Sequence, residues 1–372
     1  MKSGGPTVRL LICAGGTGGG VYPALAVHHA LTQRLAGVET MWVGGDGGME
    51  AELVDRAGIV FKSIPAAGLH GVGARALPGN LLRISRGWLA ARRILREFQP
   101  DALFFTGGYV AGPMAFAGRR VPTLLYVPDI EPGLALKSLA RYANRIALTA
   151  AESKKYFPSD KRTVVTGYPV RADLAAWSRS DAVQLFGLSG DLPALLIFGG
   201  SQGARSINTV ILKHLSSLLE IAQIIHISGQ LDWSMVEAAA QALPRELSAR
   251  YHAMPYLHDM GAALAAADVV ISRAGASVLG EFPAFGLPAV LVPYPHAWRY
   301  QKVNADYLAE RGAAVILQDE ILRDRLLPLV KDLLLNPAKR EAMRAAMRTL
   351  AHPEAAAAIA GQLIELAGGT TE

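Results

Sequence analysis

The sequence predicts an α/β protein built as tandem halves: two Rossmann-like, doubly wound parallel-sheet domains facing across a cleft. Three observations carry this prediction. Apolar strand-like runs alternate with amphipathic helical stretches along most of the 372 residues, and continuously apolar strands between helices belong to parallel sheets covered on both faces. Two glycine-rich turns, each after an apolar run, repeat one another: LLICAGGTGGG from Leu10 and LLIFGGSQGA from Leu195. Their first loop glycines, Gly15 and Gly199, lie 184 residues apart, close to half the chain. With 51% hydrophobic and 18% charged residues, the chain can bury a sizeable core and is not globally disordered.

The clear strands are Val8–Ala14, Thr40–Val43, Ala102–Phe105, Thr123–Val127, Ala194–Phe198, Ile221–Ile227, Val269–Ser272 and Ala289–Val292. Helical periodicity lies between them, as in Pro23–Leu35, Asn80–Phe98 and Arg205–Leu219. Gly167-Tyr168-Pro169-Val170-Arg171 interrupts the pattern after a short strand and marks the joint. The domains are then 1–168 and 169–351, with a helical tail at 352–368 packing back on the first. In such sheets a ligand lies beyond the carboxyl ends of the strands, so the expected site is the cleft between the halves.

The single cysteine, Cys13, excludes an internal disulfide framework and a cysteine-based zinc site, and its setting LLICAGG predicts a thiol buried on a strand in a reducing compartment. The N-terminus lacks a secretory layout and no uncharged run predicts a membrane-spanning helix, so a soluble or surface-attached protein is expected. The net charge of +6 is divided unevenly: residues 1–171 hold 21 Lys and Arg against 11 Asp and Glu, and the rest hold 16 against 20. A basic first half suits an anionic partner, either nucleic acid or a lipid surface.

The chemistry is written in the loops. Gly15-Gly16-Thr17-Gly18-Gly19-Gly20 joins a strand to a helix expected to begin at Pro23. Glycines let backbone N–H groups approach a phosphate, and a helix N-terminus adds favourable partial charge. The loop lacks the Lys-Ser/Thr end of a P-loop and the spacing of a dinucleotide fingerprint, and a tight turn needing positive φ explains the glycines equally. Gly199-Gly200-Ser201-Gln202-Gly203-Ala204-Arg205 has the same context, with Ser201 placed to donate to a diphosphate. Thr106-Gly107-Gly108-Tyr109 is a third such turn. In Arg273–Glu281, Glu281 falls about one turn into the next helix, where a carboxylate accepts ribose hydroxyls or is simply solvated. In Pro293–Gln301, Gln301 suits sugar hydroxyls, while His296 and Trp298 line a pocket or merely pack.

Together GGTGGGVYPALAV, GGYVAGP, GGSQGAR, the Arg273–Glu281 segment followed by GLP, and the Gln301–Asn304–Ala305 run occur in an order that resembles the MurG family of glycosyltransferases across nearly the whole chain. The resemblance implies a GT-B fold and an inverting transfer that needs no cofactor and no metal. The donor is UDP-GlcNAc, held mainly by the second half. The acceptor is the C4 hydroxyl of MurNAc in undecaprenyl-pyrophosphoryl-MurNAc-pentapeptide, the step from lipid I to lipid II in peptidoglycan synthesis. Carried over by position, Thr17, Gly18, Gly19, Arg171 and Ser201 lie near the donor, with Leu257 bracketing uracil through its backbone. Ala276, Ser277, Val278, Leu279, Gly280 and Glu281 hold the nucleotide, with Glu281 on the ribose, and Gln301 contacts the GlcNAc hydroxyls. Gly20 with Gly107, Gly108 and Tyr109 forms the acceptor loops. The enzyme is expected at the cytoplasmic face of the cell membrane as a peripheral protein, near other cell-wall synthesis proteins and with no nucleic-acid partner.

This chain departs from the family pattern at three places. Gly20 stands where a histidine is usual, Tyr126-Val127-Pro128-Asp129 replaces His-Glu-Gln-Asn, and Tyr300 replaces a glutamine. A hydroxyl attacking an anomeric carbon benefits from a base within hydrogen-bond reach. Asp129, which stands at the position of a donor-contacting asparagine, is the first candidate base, and His70 the second. Two alternatives are a related transferase acting on another lipid, such as diacylglycerol, and a catalytically silent UDP-sugar-binding homologue. Residues 75–96 contain six arginines and no acidic residue, with apolar residues at helical spacing. Leu77, Leu81, Leu82, Arg83, Arg86 and Trp88 are therefore expected to meet an anionic bilayer; packing of the same stripe on the first sheet is the competing reading.

Overall fold

In the computed structural model, residues 7–15, 18–48, 50–66, 77–200, 203–295 and 300–368 are described. Seven strands build the first sheet: β1 (Val8–Cys13), β2 (Val38–Gly45), β3 (Val60–Ile64), β4 (Ala102–Phe105), β5 (Thr123–Val127), β6 (Arg145–Leu148) and β7 (Thr163–Val165). Their order is β3-β2-β1-β4-β5-β6-β7, all parallel. Six more build the second: β8 (Ala194–Phe198), β9 (Gln223–Ile227), β10 (Tyr251–Met254), β11 (Val269–Ser272), β12 (Ala289–Leu291) and β13 (Ala314–Ile316). Their order is β10-β9-β8-β11-β12-β13, again all parallel. The first sheet belongs to a unit of the chain up to Arg171 together with the segment from His352, and the second to a unit spanning Ala172–Ala351.

Helices cover both faces of each sheet, so the central strands are apolar on both sides. Leu11, Ile12 and Cys13 on β1 and Leu195, Leu196 and Ile197 on β8 are fully buried. Burial pushes the Cys13 thiol well above its ordinary range, with the nearby Glu50 adding to the shift. Strands β3, β6, β7, β10 and β13, absent from the clear sequence signals, have only three to five residues and lie at or next to sheet edges. Polar residues such as Lys62, Arg145 and Thr163 dilute their apolar pattern.

The first helix corrects the sequence expectation. It spans Gly18–Arg34 instead of beginning at Pro23, so Gly18, Gly19 and Gly20 form its first turn and Pro23 lies inside. The first N–H groups of a helix have no intrahelical partner, so glycine is tolerated there, and proline's fixed φ is helical even though it removes one backbone bond. The expected helix over Arg205–Leu219 is two helices, Arg205–Lys213 and Leu215–Leu219, interrupted at His214. The C-terminal helix Ala355–Leu366 packs on Gly18–Arg34, where Arg34 donates to the Ala357 carbonyl at 2.9 Å. Arg145 at the start of β6 donates to Gln362 at 3.0 Å and pairs with Glu365 at 2.5 Å.

A buried polar chain runs through the second unit. Asn208 uses its amide nitrogen to donate to the Ser228 carbonyl and to Asp232, both at 2.9 Å. Its oxygen must therefore accept from His226 Nε2, 3.0 Å away, which leaves His226 Nδ1 to accept from the Tyr251 hydroxyl at 2.7 Å. The network fixes the neutral Nε2–H tautomer, and burial lowers the His226 pKa from 6.5 to about 4.

The sign of the resulting pH dependence follows from linkage. Below pH 6.5 the unfolded chain protonates this histidine while the folded chain does not until about pH 4, so its stabilising effect is complete above that window and is lost as pH falls through it. Urea unfolding at pH 7 and at pH 4 is expected to show about 3 kcal/mol more acid destabilisation in the wild type than in His226→Gln; equal acid losses in both would contradict the assignment.

Candidate active site

In a doubly wound sheet the crevice opens where consecutive crossovers leave on opposite sides. Here that happens between β8 and β11 in the second unit, and between β1 and β4 in the first. The glycine turns sit at these two points.

In the second unit a cavity of about 700 Å³ opens at the carboxyl ends of the strands, lined by Gly199, Gly203, Arg205, Arg273, Tyr294 and Gln301 among others. The turn after β8 folds back on itself. A Cβ on Gly199 would lie 2.3 Å from the Ala204 nitrogen, and one on Gly203, at φ +81°, would lie 2.1 Å from the Ser228 carbonyl oxygen. Only glycine fits these positions. The helix that follows begins at Arg205, and among the described residues no side chain caps its first N–H groups, the local condition for binding an anion.

Arg273 locks this end of the sheet together and is 11% exposed. Its Nη1 donates to Asp319 Oδ1 at 2.7 Å and to the Val292 carbonyl at 3.2 Å, and its Nη2 donates to Ser206 at 2.8 Å. Ser206 in turn donates to Asp319 at 2.9 Å, and the guanidinium lies 5.2 Å from the Tyr294 ring centroid. One side chain thus ties the segments beyond β8, β11, β12 and β13. The fully buried Asn304 donates to the Ala274 carbonyl at 3.2 Å and anchors the helix Tyr300–Ala309 to the turn after β11.

The sequence-predicted residues of this unit fall as follows. Gln301 lines the cavity, and its Oε1 accepts from the Tyr294 N–H at 2.8 Å. Ala276–Leu279 form a single 3₁₀ turn beyond β11, and Gly280 precedes the short helix Glu281–Phe285. Glu281 is the first residue of that helix, half-buried and outside the residues lining the cavity. Leu257 is half-buried in the loop beyond β10, at the same end of the sheet. Ser201, His296 and Trp298 lie outside the described residues.

In the first unit a second cavity, of about 580 Å³, is lined by Gly15, Glu50, Arg83, Arg86, Gly108 and Tyr109 among others. Gly107 and Gly108 have φ +130° and +87°, and a Cβ on Gly108 would lie 3.0 Å from the Gly15 carbonyl oxygen. The turns beyond β1 and β4 are therefore in backbone contact. Thr106 donates to the Gly20 carbonyl at 2.8 Å, and Gly20 is buried within the helix Gly18–Arg34, not exposed on a loop. A Cβ at Gly20 would meet Thr106 Oγ1 at 3.3 Å. Gly18 and Gly19 are half-buried beside it. Thr17 and His70 lie outside the described residues.

Asp129 is half-buried two residues beyond β5, at the same end of the sheet as these turns. Tyr126, also in the departing segment, is fully buried, and its hydroxyl shares a 2.7 Å hydrogen bond with Thr149. Arg171 lies over the Tyr22 ring at 4.7 Å. Leu81 and Leu82, each 53% exposed, and the exposed Arg83 and Arg86 stand on the helix Leu77–Phe98. The Leu77 side chain lies outside the described residues. Trp88 is half-buried, stacked obliquely on Phe116 with centroids 6.2 Å apart and covered by Arg92 at 4.9 Å. Leu95 on the same helix packs against the core, so the apolar stripe divides between solvent and interior.

The residue that reading the sequence missed is Glu50. It is 1% exposed, accepts the Gly45 N–H at 2.9 Å, and would meet a Cβ on Gly15, Gly44 or Gly48 at 2.5, 2.7 and 2.3 Å. Two chain segments, the turn after β1 and the run Gly44–Gly48, are glycine where they pass its carboxylate. The cluster Gly44-Gly45-Asp46-Gly47-Gly48 just before Glu50 was the available signal.

Two doubly wound parallel sheets with glycine turns at both switch points define a GT-B protein. Residues 10–148 match the Glycosyltransferase family 28 N-terminal domain and residues 194–359 the Glycosyltransferase family 28 C-terminal domain. A relative from Roseiflexus sp. (strain RS-1), a UDP-N-acetylglucosamine--N-acetylmuramyl-(pentapeptide) pyrophosphoryl-undecaprenol N-acetylglucosamine transferase, is 42% identical over 95% of this chain and 94% of its own. A transferase of the same name from Desulforamulus reducens is 37% identical over 94% and 96%. The crystal structure of Acinetobacter baumannii MurG superposes with a TM-score of 0.75 at 28% identity, covering 97% of this chain and all of that one. The chain belongs to glycosyltransferase family 28, in its MurG branch.

Gly203→Ala places a side chain at positive φ and against a backbone carbonyl. Its urea unfolding free energy is expected to fall by about 2 kcal/mol or more, while Gly190→Ala, whose Cβ meets nothing within 4 Å, changes it by less than about 0.5 kcal/mol.

Proposed function

We propose that this enzyme transfers GlcNAc from UDP-GlcNAc to the C4 hydroxyl of MurNAc in undecaprenyl-pyrophosphoryl-MurNAc-pentapeptide, with inversion and without a metal. The observation that carries the reading is the cavity at the β8/β11 switch point, where glycine-turn amides, an uncapped helix N-terminus and Gln301 converge. Amides and arginine suit a diphosphate, and a glutamine amide suits sugar hydroxyls. The acceptor oxygen attacks the anomeric carbon, the bond to the β-phosphate oxygen breaks, and UDP leaves with the electron pair. The hydroxyl proton passes to a base, which we assign to Asp129: it is the carboxylate of the departing segment beyond β5 and stands at the carboxyl end of the first sheet.

The enzyme works at the cytoplasmic face of the cell membrane, as a peripheral protein. Among the described residues no helix is long and apolar enough to cross a membrane. The helix Leu77–Phe98 instead exposes Leu81, Leu82 and Leu89 beside Arg83, Arg86, Arg92, Arg93 and Arg96, which suits an anionic lipid surface and a lipid-linked acceptor. The free, buried thiol of Cys13 fits a reducing compartment.

Radiolabel from UDP-GlcNAc is expected to appear in a lipid I analogue, equally with and without EDTA, and not in diacylglycerol; donor binding without transfer to lipid I would refute the reading. Asp129→Asn is expected to lower kcat by about a hundredfold or more with donor binding unchanged, and near-normal turnover would remove Asp129 as base. Flotation with anionic but not neutral liposomes at low salt checks the membrane assignment.

A further inference from the structure

Two arginines line the cavity of the second unit, and their surroundings differ. Arg273 has both terminal nitrogens engaged by Asp319, Ser206 and the Val292 carbonyl. Arg205 has a side chain 77% exposed and is held through Nε, which donates to Asp232 Oδ1 at 2.8 Å. Among the described residues neither of its terminal nitrogens has a partner.

An arginine beside a carboxylate usually pairs through two parallel N–H bonds. Here the arginine uses only Oδ1, through Nε, while Asp232 Oδ2 accepts from Asn208 at 2.9 Å. Asp232 is 4% exposed, and Asn208 is fully buried and fixed in turn by His226 and Tyr251. A solvent-facing guanidinium is therefore aimed by a buried, fully satisfied chain from its inner edge, with its outer fork left open. Arg205 also opens a helix whose first N–H groups have no side-chain cap among the described residues. An oriented cation, helix-terminal N–H groups and glycine-turn amides make one anion site.

We propose that Arg205 is a direct ligand of the donor diphosphate that stabilises the charge on departing UDP, and that Tyr251, His226, Asn208 and Asp232 are positioning residues that hold its fork toward the cavity. This inference rests on the nucleotide-sugar reading above. Fixing the side chain in advance removes most of the ordering cost that a surface arginine meets on binding.

Calorimetric titration of UDP and of uridine into wild type, Arg205→Ala, Arg205→Lys and Asn208→Ala tests it. Arg205→Ala is expected to bind UDP between tenfold and a hundredfold more weakly while uridine affinity stays within twofold. Arg205→Lys is expected to recover only part of the loss, since a point charge lacks the fork. Asn208→Ala is expected to weaken UDP selectively by about threefold to tenfold, through Arg205, so that in Arg205→Ala it adds nothing further. A loss of UDP affinity under tenfold in Arg205→Ala, or an equal loss for uridine, overturns the proposal. Failure of the wild type to bind UDP overturns the nucleotide-sugar reading itself and the proposal with it.

Discussion

In a parallel sheet wound on both faces, two neighbouring strands must hand the chain to helices that depart in opposite directions, and no backbone can bridge the gap beyond their ends. Everything chemical in this protein is arranged around two such gaps, at β1/β4 and at β8/β11. Burial of the central strands fixes their ends in space, and the turns that follow inherit those positions. The turns therefore need only the right backbone conformation to present N–H groups to a ligand.

The polar groups behind the turns make those positions rigid. In the first unit a buried carboxylate, Glu50, occupies the concavity around which Gly15, Gly44 and Gly48 are wrapped. In the second, Arg273 joins the segments beyond four strands, and the Asn208 chain fixes Asp232. Each of these groups is costly to bury alone, and each named network meets its needs with hydrogen bonds. The cost of assembling them is offset by the apolar sheets beneath.

The central strands were legible because they are long enough to show an unbroken apolar run. The helix start at Gly18 was not legible, since three glycines read as a loop until the free N–H groups of a helix's first turn are taken into account. The split at His214 had no local warning either. At the site, the glycine turns were visible because close backbone approach and positive φ leave only glycine. Arg205 was visible as a letter in its loop but not as an oriented cation, because its orientation depends on Asp232, 27 residues away. The Arg273–Asp319 pair spans 46 residues and likewise has no sequence signature.

The sequence by itself determined the class of fold, the repetition of a strand–glycine turn–helix unit and the family, because burial period, backbone freedom and motif order are local properties of the chain. Tertiary structure alone decided which strands adjoin, and so where the two crevices open. It also decided that Gly20 is buried against Thr106, that the Glu50 carboxylate lies against Gly15, and that one of two cavity arginines is closed while the other is open. Those outcomes depend on distances between segments remote in sequence, which sheet register sets and no local pattern records.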